Sequence, residues 1–112
     1  MTIELGNITF DCDNAQTLAT FYAELLGREV NPDASELFAT VAGSPILMFL
    51  KVDDKTPGKN VIHLDLHAVD WQEEIARAVS IGAKHIGDFN EYGTEWATLA
   101  DPEGNLFDIG RG

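Results

Sequence analysis

The feature that most constrains this fold is an order of elements that occurs twice. Ile8, Phe10 and Cys12 alternate with Asn7, Thr9 and Asp11, the period of a strand buried on one face. A helix follows, capped by Asp13 or Asn14. Its Leu18, Phe21, Tyr22, Leu25 and Leu26 fall at i, i+3, i+4, i+7 and i+8 and make one apolar stripe. Gly27 ends it. Short strands are expected near Glu29–Val30, Leu37–Val41 and Ile46–Val52. The pattern then restarts. Across Val61–Ala68, Ile62, Leu64 and Leu66 alternate with His63, Asp65 and His67. Asp70 is placed to cap a second helix, with Glu73 completing a capping box. Trp71, Ile75, Ala78 and Val79 form its stripe, and Gly82 stops it. Strands near Lys84–Gly87, Thr94–Ala100 and Leu106–Ile109 follow. The two helix-ending glycines, Gly27 and Gly82, stand 55 residues apart.

A whole order that repeats in this way implies an α+β fold of two βαβββ modules. Module 1 is expected over about residues 1–53 and module 2 over about 61–112, within one domain spanning 1–112. Residues 54–60 carry Pro57 and Gly58 without apolar periodicity and read as the connector. Neither half can bury much alone, so the halves should pack together or exchange with a partner chain.

Alternation also predicts which residues share a face. Ile8, Phe10, Ile62, Leu64, Leu66, Ala97, Leu99, Phe107 and Ile109 should meet the helices. Asn7, Thr9, Asp11, His63, Asp65, His67, Trp96, Thr98 and Asp108 should occupy the opposite face. Asp101-Pro102-Glu103-Gly104-Asn105 is a hairpin turn, with Pro102 presetting one φ and Gly104 free to take a positive φ. If that turn pairs position 100 with 106, Trp96 and Thr98 share the face of Asp108.

Charge excludes some partners. Nineteen acidic against seven basic residues give a formal charge of −12, which argues against nucleic acid and against anionic membrane surfaces. It would attract a cationic ligand, although a solubilising surface accounts for it equally well. No stretch reads as a signal peptide or a membrane span. The single cysteine, Cys12, fits a cytoplasmic protein and reads as a small buried hydrophobe.

With these residues in view, the chain resembles the vicinal-oxygen-chelate superfamily of glyoxalases, bleomycin-resistance proteins and extradiol dioxygenases. The resemblance is carried by Phe21-Tyr22-Ala23-Glu24-Leu25-Leu26-Gly27, Val61-Ile62-His63-Leu64-Asp65-Leu66, Gly82-Ala83 and the Asp101–Asn105 turn. It covers nearly the whole chain and points to small single-domain glyoxalase-like members. It implies that the modules form a curved mixed sheet around a cavity, with the helices on the convex face, commonly in a homodimer. It also implies metal ligands on the first and last strand of each module. His63 matches the first-strand ligand of module 2, and Asp108 its last-strand ligand. Module 1 departs from the pattern: its positions fall at or beside Asn7 and within the apolar Leu47–Leu50.

A catalytic metal needs at least three good protein ligands and an open position. His63 and Asp108 supply two, with Asp65 or His67 placed to orient His63 or to join it. The expectation is therefore a small-molecule-binding protein with an incomplete metal site and no cofactor. Its ligand would be cationic or aromatic, held among Asn7, Thr9, Asp11, Met48, His63, Asp65, His67, Tyr92, Trp96, Thr98 and Asp108. Phe49 is a further candidate for stacking. Two alternatives remain open. One is a lyase, isomerase or dioxygenase using a divalent metal (Zn, Ni, Mn or Fe) on His63 and Asp108, the candidate catalytic residues. The other is a ligand-free dimeric interaction module.

Overall fold

The computed structural model describes residues 5–55, 60, 62–91 and 93–111. The chain is mixed α+β and divides into two compact units, Met1–Thr56 and Pro57–Gly112, each with one helix and one mixed sheet.

The first unit contains β1 (Asn7–Cys12), α1 (Ala15–Leu26), β2 (Phe38–Val41) and β3 (Ile46–Lys51). β3 is central, with β1 parallel on one side and β2 antiparallel on the other. Helix α1 starts where Asn14 accepts a hydrogen bond from the Thr17 N–H at 3.0 Å. It stops at Gly27, whose φ of 66° would strain any residue with a Cβ. Its Leu18, Phe21, Tyr22 and Leu25 are buried together with Cys12, Ala39, Val41, Leu47 and Phe49. Aromatic contacts tie the layers: Phe10 lies 5.1 Å from Tyr22 and 4.9 Å from Phe49, centroid to centroid. Phe49 is thus core rather than a stacking surface for a ligand. The strand expected at Glu29–Val30 reduces to a single bridge, Val30 to Val41. Pro32 follows within two residues and lacks the N–H a ladder needs.

The second unit contains β4 (Leu64–His67), α2 (Trp71–Ser80), β5 (Lys84–Glu91), β6 (Thr94–Ala100) and β7 (Leu106–Gly110). The sheet order is β4-β7-β6-β5, with β4 parallel to β7 and the other pairs antiparallel. Ala97, Leu99, Phe107 and Ile109 are buried with Ile75 and Ala78 of α2, as the alternation predicts. Two expected core residues are outside it: Val79 is 44% exposed and Ile62 is 76% exposed. Ile62 lies before β4, because pairing with β7 starts only at Leu64. Ahead of that point the Asn60 side chain substitutes for a strand. Its Oδ1 accepts from the Leu106 N–H at 2.8 Å, and its Nδ2 donates to the Leu106 carbonyl at 3.2 Å and to the Ile62 carbonyl. A connector residue therefore holds the start of β7.

Helix α2 lacks the predicted capping box: Asp70 occupies the cap position, but its side chain makes no capping bond. Glu73 and Glu74 in the first turn still complement the helix dipole. β5 runs four residues past the predicted Gly87, to Glu91, with a bulge between His85 and Gly87.

The β6–β7 turn forms as expected, with Gly104 at φ 90°. Its organiser is Asp101, 4% exposed. Oδ1 accepts from the Glu103 and Asn105 N–H groups at 2.8 and 3.0 Å, and Oδ2 accepts from Asn105 Nδ2 at 2.9 Å. Among the described residues, no helix is long and apolar enough to cross a membrane.

Candidate functional site

The site follows from strand register in the second unit. Thr98 of β6 lies opposite Asp108 of β7, and Asp108 lies opposite Asp65 of β4. Side chains alternate along strands, so these three project from the face opposite the buried Ala97, Leu99, Phe107 and Ile109. His63 stands one residue before β4 and continues the same alternation.

The Thr98 hydroxyl donates to Asp108 Oδ1 at 2.7 Å, leaving Oδ2 directed at His63 Nδ1, 3.8 Å away. The same Nδ1 lies 3.1 Å from Asp65 Oδ1. Exposure grades across the group: the Asp108 side chain is 20% exposed, His63 43% and Asp65 73%. Two carboxylates thus converge on one imidazole, and the hydroxyl fixes the better-buried carboxylate.

Beside this group lies an aromatic shelf. Phe89 of β5 is opposite Trp96 of β6, and their rings stack at 5.5 Å with an 18° interplanar angle. Phe89 is 41% exposed and Trp96 is half-buried. Gly110 is the residue opposite Trp96 on β7. A Cβ there would stand 3.1 Å from the Glu95 carbonyl oxygen and 3.2 Å from Trp96 Cβ, so the indole's position depends on glycine. Phe89 gave no signal in the sequence. It lies in Lys84–Glu91, where polar residues and a bulge hide the alternation.

The equivalent places in the first unit are neutral. Met48 is the third residue of β3, as Asp108 is of β7, and lies opposite Thr9 and Thr40. Thr9, Thr40 and Asn7 therefore stand where Asp65, Thr98 and His63 stand in the second unit. Even the local contact is reproduced: Asn7 Nδ2 donates to Thr9 Oγ1 at 2.9 Å. Asp11, opposite Leu50 on the same strand face, is exposed. Of the other candidates, His67 is exposed opposite Gly110, and Tyr92 lies outside the described residues. A depression of about 660 Å³ lined by Leu37, Lys51, Val52, Asp53 and Asp54 lies in the first unit and shares no residue with either group.

The donor set of the second unit suits a divalent ion. One ligand atom from each of His63, Asp65 and Asp108 lies within 4.8 Å of the others, the one group of this kind among the described residues. Ligand atoms bonded to one zinc ion at about 2.1 Å sit roughly 3 to 3.5 Å apart. The 3.1 Å pair meets that, the 3.8 Å pair is slightly longer, and all three donors stay within 4.8 Å of one another.

Comparison with known proteins agrees with the fold. No curated protein sequence matches the chain. Among solved structures, a glyoxalase/bleomycin resistance protein/dioxygenase family enzyme from Burkholderia phytofirmans PsJN superposes with a TM-score of 0.83 at 18% identity, covering 97% of this chain and 98% of that one. A lactoylglutathione lyase from Agrobacterium tumefaciens gives 0.70 at 16% identity, covering 97% and 93%. TioX from Micromonospora sp. ML1 gives 0.66 at 12% identity, covering 96% and 98%. At such identities these likenesses speak for the fold alone. The family model of the glyoxalase-like domain matches residues 7–110. With nearly its whole length matched, the chain belongs to the glyoxalase-like domain family.

Proposed function

We propose that this protein binds a small molecule on the open sheet face of its second unit. The flat part of the ligand lies on Trp96 and Phe89, and its positive charge lies towards Asp108 and Asp65. The observation that carries this reading is the stacked, partly exposed Phe89–Trp96 pair on the strand face that also bears Asp108. An apolar aromatic platform beside carboxylates is the chemistry that holds planar cations. The chain's charge of −12 favours the same class of ligand.

The test is amide shift mapping with N-methylquinolinium as probe. The expected result is saturable shifts clustered at His63, Asp65, Phe89, Trp96, Thr98 and Asp108. Shifts confined to the first unit, or none at millimolar probe, would reject the reading.

A second reading is favoured by the convergence of His63, Asp65 and Asp108 within 4.8 Å. In it the positive charge is a divalent metal, and the protein is a metal-dependent lyase, isomerase or dioxygenase. Metal analysis of protein purified without chelators separates the two: a stoichiometric ion lost in His63→Ala supports the second.

A further inference from the structure

We infer that the second unit takes a flat heteroaromatic cation of two fused rings edge-on into a gap above Gly110, between the Trp96 indole and the His67 imidazole. The inference rests on the aromatic-platform reading above for the presence of a ligand. It adds the ligand's place, its second wall and its class.

Three observations lead there. The first is a row across the sheet. Register sets His67 of β4 opposite Gly110 of β7, Gly110 opposite Trp96 of β6, and Trp96 opposite Phe89 of β5. Gly110 alternates with the buried Phe107 and Ile109 on β7, so the row lies on the open face. Across the strands it runs ring, bare backbone, ring, ring. Gly110 stays bare because a Cβ there would meet the Glu95 carbonyl oxygen at 3.1 Å and Trp96 Cβ at 3.2 Å. Although β7 is a central strand, Gly110 is only half-buried and His67 is exposed, so the gap opens to solvent.

The second is the width of that gap. Neighbouring strands lie about 4.8 Å apart, so His67 and Trp96 stand about 9.6 Å apart across Gly110. Offset-stacked rings have centroids about 4.5–7 Å apart, so two steps near the lower end of that range fill the span with one ring between the walls. A step of this kind is already made on the other side of the indole, where Phe89 stacks at 5.5 Å and 18°. The ligand's ring takes the place of the side chain that position 110 lacks. It continues the Phe89–Trp96 stack by one layer, and His67 closes it.

The third is where the negative charge lies. Asp108 is two residues from Gly110 on the same face of β7, about 6.6 Å along the strand. Its side chain is 20% exposed, and its Oδ1 accepts from the Thr98 hydroxyl at 2.7 Å, which leaves Oδ2 to face a cation. A single six-membered ring is too short to fill the gap over Gly110 and also set its charge beside Asp108. Two fused rings reach both places. A saturated cation of equal charge is too thick for a one-ring gap and offers no π-face to the indole or the imidazole. Walls on both faces and a carboxylate at one end therefore select a flat cation over a compact one.

The test is NMR titration of the histidine ring protons with N-methylquinolinium. The chain has three histidines, and His67 is assigned by the signals lost in His67→Ala. The proposal expects the His67 ring protons to move upfield, saturating together with the Trp96 indole N–H, while those of His85 stay in place. Probe affinity should fall at least threefold in His67→Ala and return in His67→Phe, which restores a flat wall. His67 is exposed, so both variants should melt within a few degrees of the parent. Tetramethylammonium, which has the charge without a ring, should bind at least tenfold more weakly than N-methylquinolinium, and equally to the parent and to His67→Ala. Saturable binding at Trp96 with the His67 ring unmoved and affinity unchanged in His67→Ala would overturn the proposal and leave the platform reading standing. A loss in His67→Ala that His67→Phe does not restore would overturn stacking as the role of His67. No saturable shift at Trp96 with millimolar probe would remove the proposal and the platform reading together.

Discussion

The Thr98 hydroxyl donates to Asp108 Oδ1 at 2.7 Å across the β6–β7 ladder, directly opposite it in register. The bond leaves the other carboxylate oxygen facing His63 and Asp65. Replacing Thr98 by Val removes the donor and keeps the shape. Thermal melts should show a loss of about 1 kcal/mol, and N-methylquinolinium affinity should fall threefold or more. Thr40→Val, at the equivalent place in the first unit, should leave probe affinity unchanged.

Gly110 makes room for Trp96. A methyl group at position 110 would press on the Glu95 carbonyl at 3.1 Å and on Trp96 Cβ at 3.2 Å. Neither neighbour is the free end of a flexible chain. Gly110→Ala should therefore cost about 1–3 kcal/mol in urea unfolding and shift Trp96 emission as the side chain is pushed from its place. Unchanged stability and emission would refute the close-approach account.

Asp101 holds the hairpin that delivers Asp108. Its buried carboxylate satisfies two backbone N–H groups and the Asn105 side chain. Asp101→Ala strands those donors and should cost about 2–3 kcal/mol. Amide exchange should accelerate first at Glu103 and Asn105.

Glu74 and Arg77 offer a pH test. The hydrogen bond from Arg77 to Glu74, 2.8 Å at its shorter contact, holds the Glu74 carboxyl below its ordinary value of 4.5. A carboxyl lowered in the folded state adds stability above its unfolded value, and this is lost as pH falls through the folded one. Both side chains are more than a third exposed, at 41% for Arg77 and 36% for Glu74, so solvent screening keeps the pair under about 0.5 kcal/mol. Arg77→Ala should thus destabilise slightly at pH 7 and not at all at pH 2, with Glu74 titrating at its ordinary place by NMR. A larger effect at pH 2 than at pH 7 would contradict the assignment.

Much of this was legible in the sequence, for a physical reason. Where a strand is buried on one face only, the apolar alternation fixes both the strand and its face, as Ala97, Leu99, Phe107 and Ile109 show. The pairing of position 100 with 106 then places Trp96, Thr98 and Asp108 together without further information. What stayed hidden is carried by polar side chains doing backbone work. Asn60 bonds both the N–H and the carbonyl of Leu106, and nothing about an asparagine after a Pro-Gly connector announces that. Asp101 looked like an ordinary turn residue beside Pro102 and Gly104. Phe89 was concealed because β5 is an edge strand with a bulge, so its sequence keeps neither apolar content nor period. The convergence of Asp65 with Asp108 needed the parallel register of β4 on β7, which no local pattern sets.

The central claim is that the face of Trp96 and Asp108 receives a planar cationic ligand. The most direct measurement is fluorescence quenching by N-methylquinolinium in the Trp71→Phe variant, where Trp96 is the only tryptophan. The account predicts saturable quenching that weakens at least tenfold in Asp108→Asn. Linear, non-saturating quenching that is the same with and without the Asp108 carboxylate would contradict it.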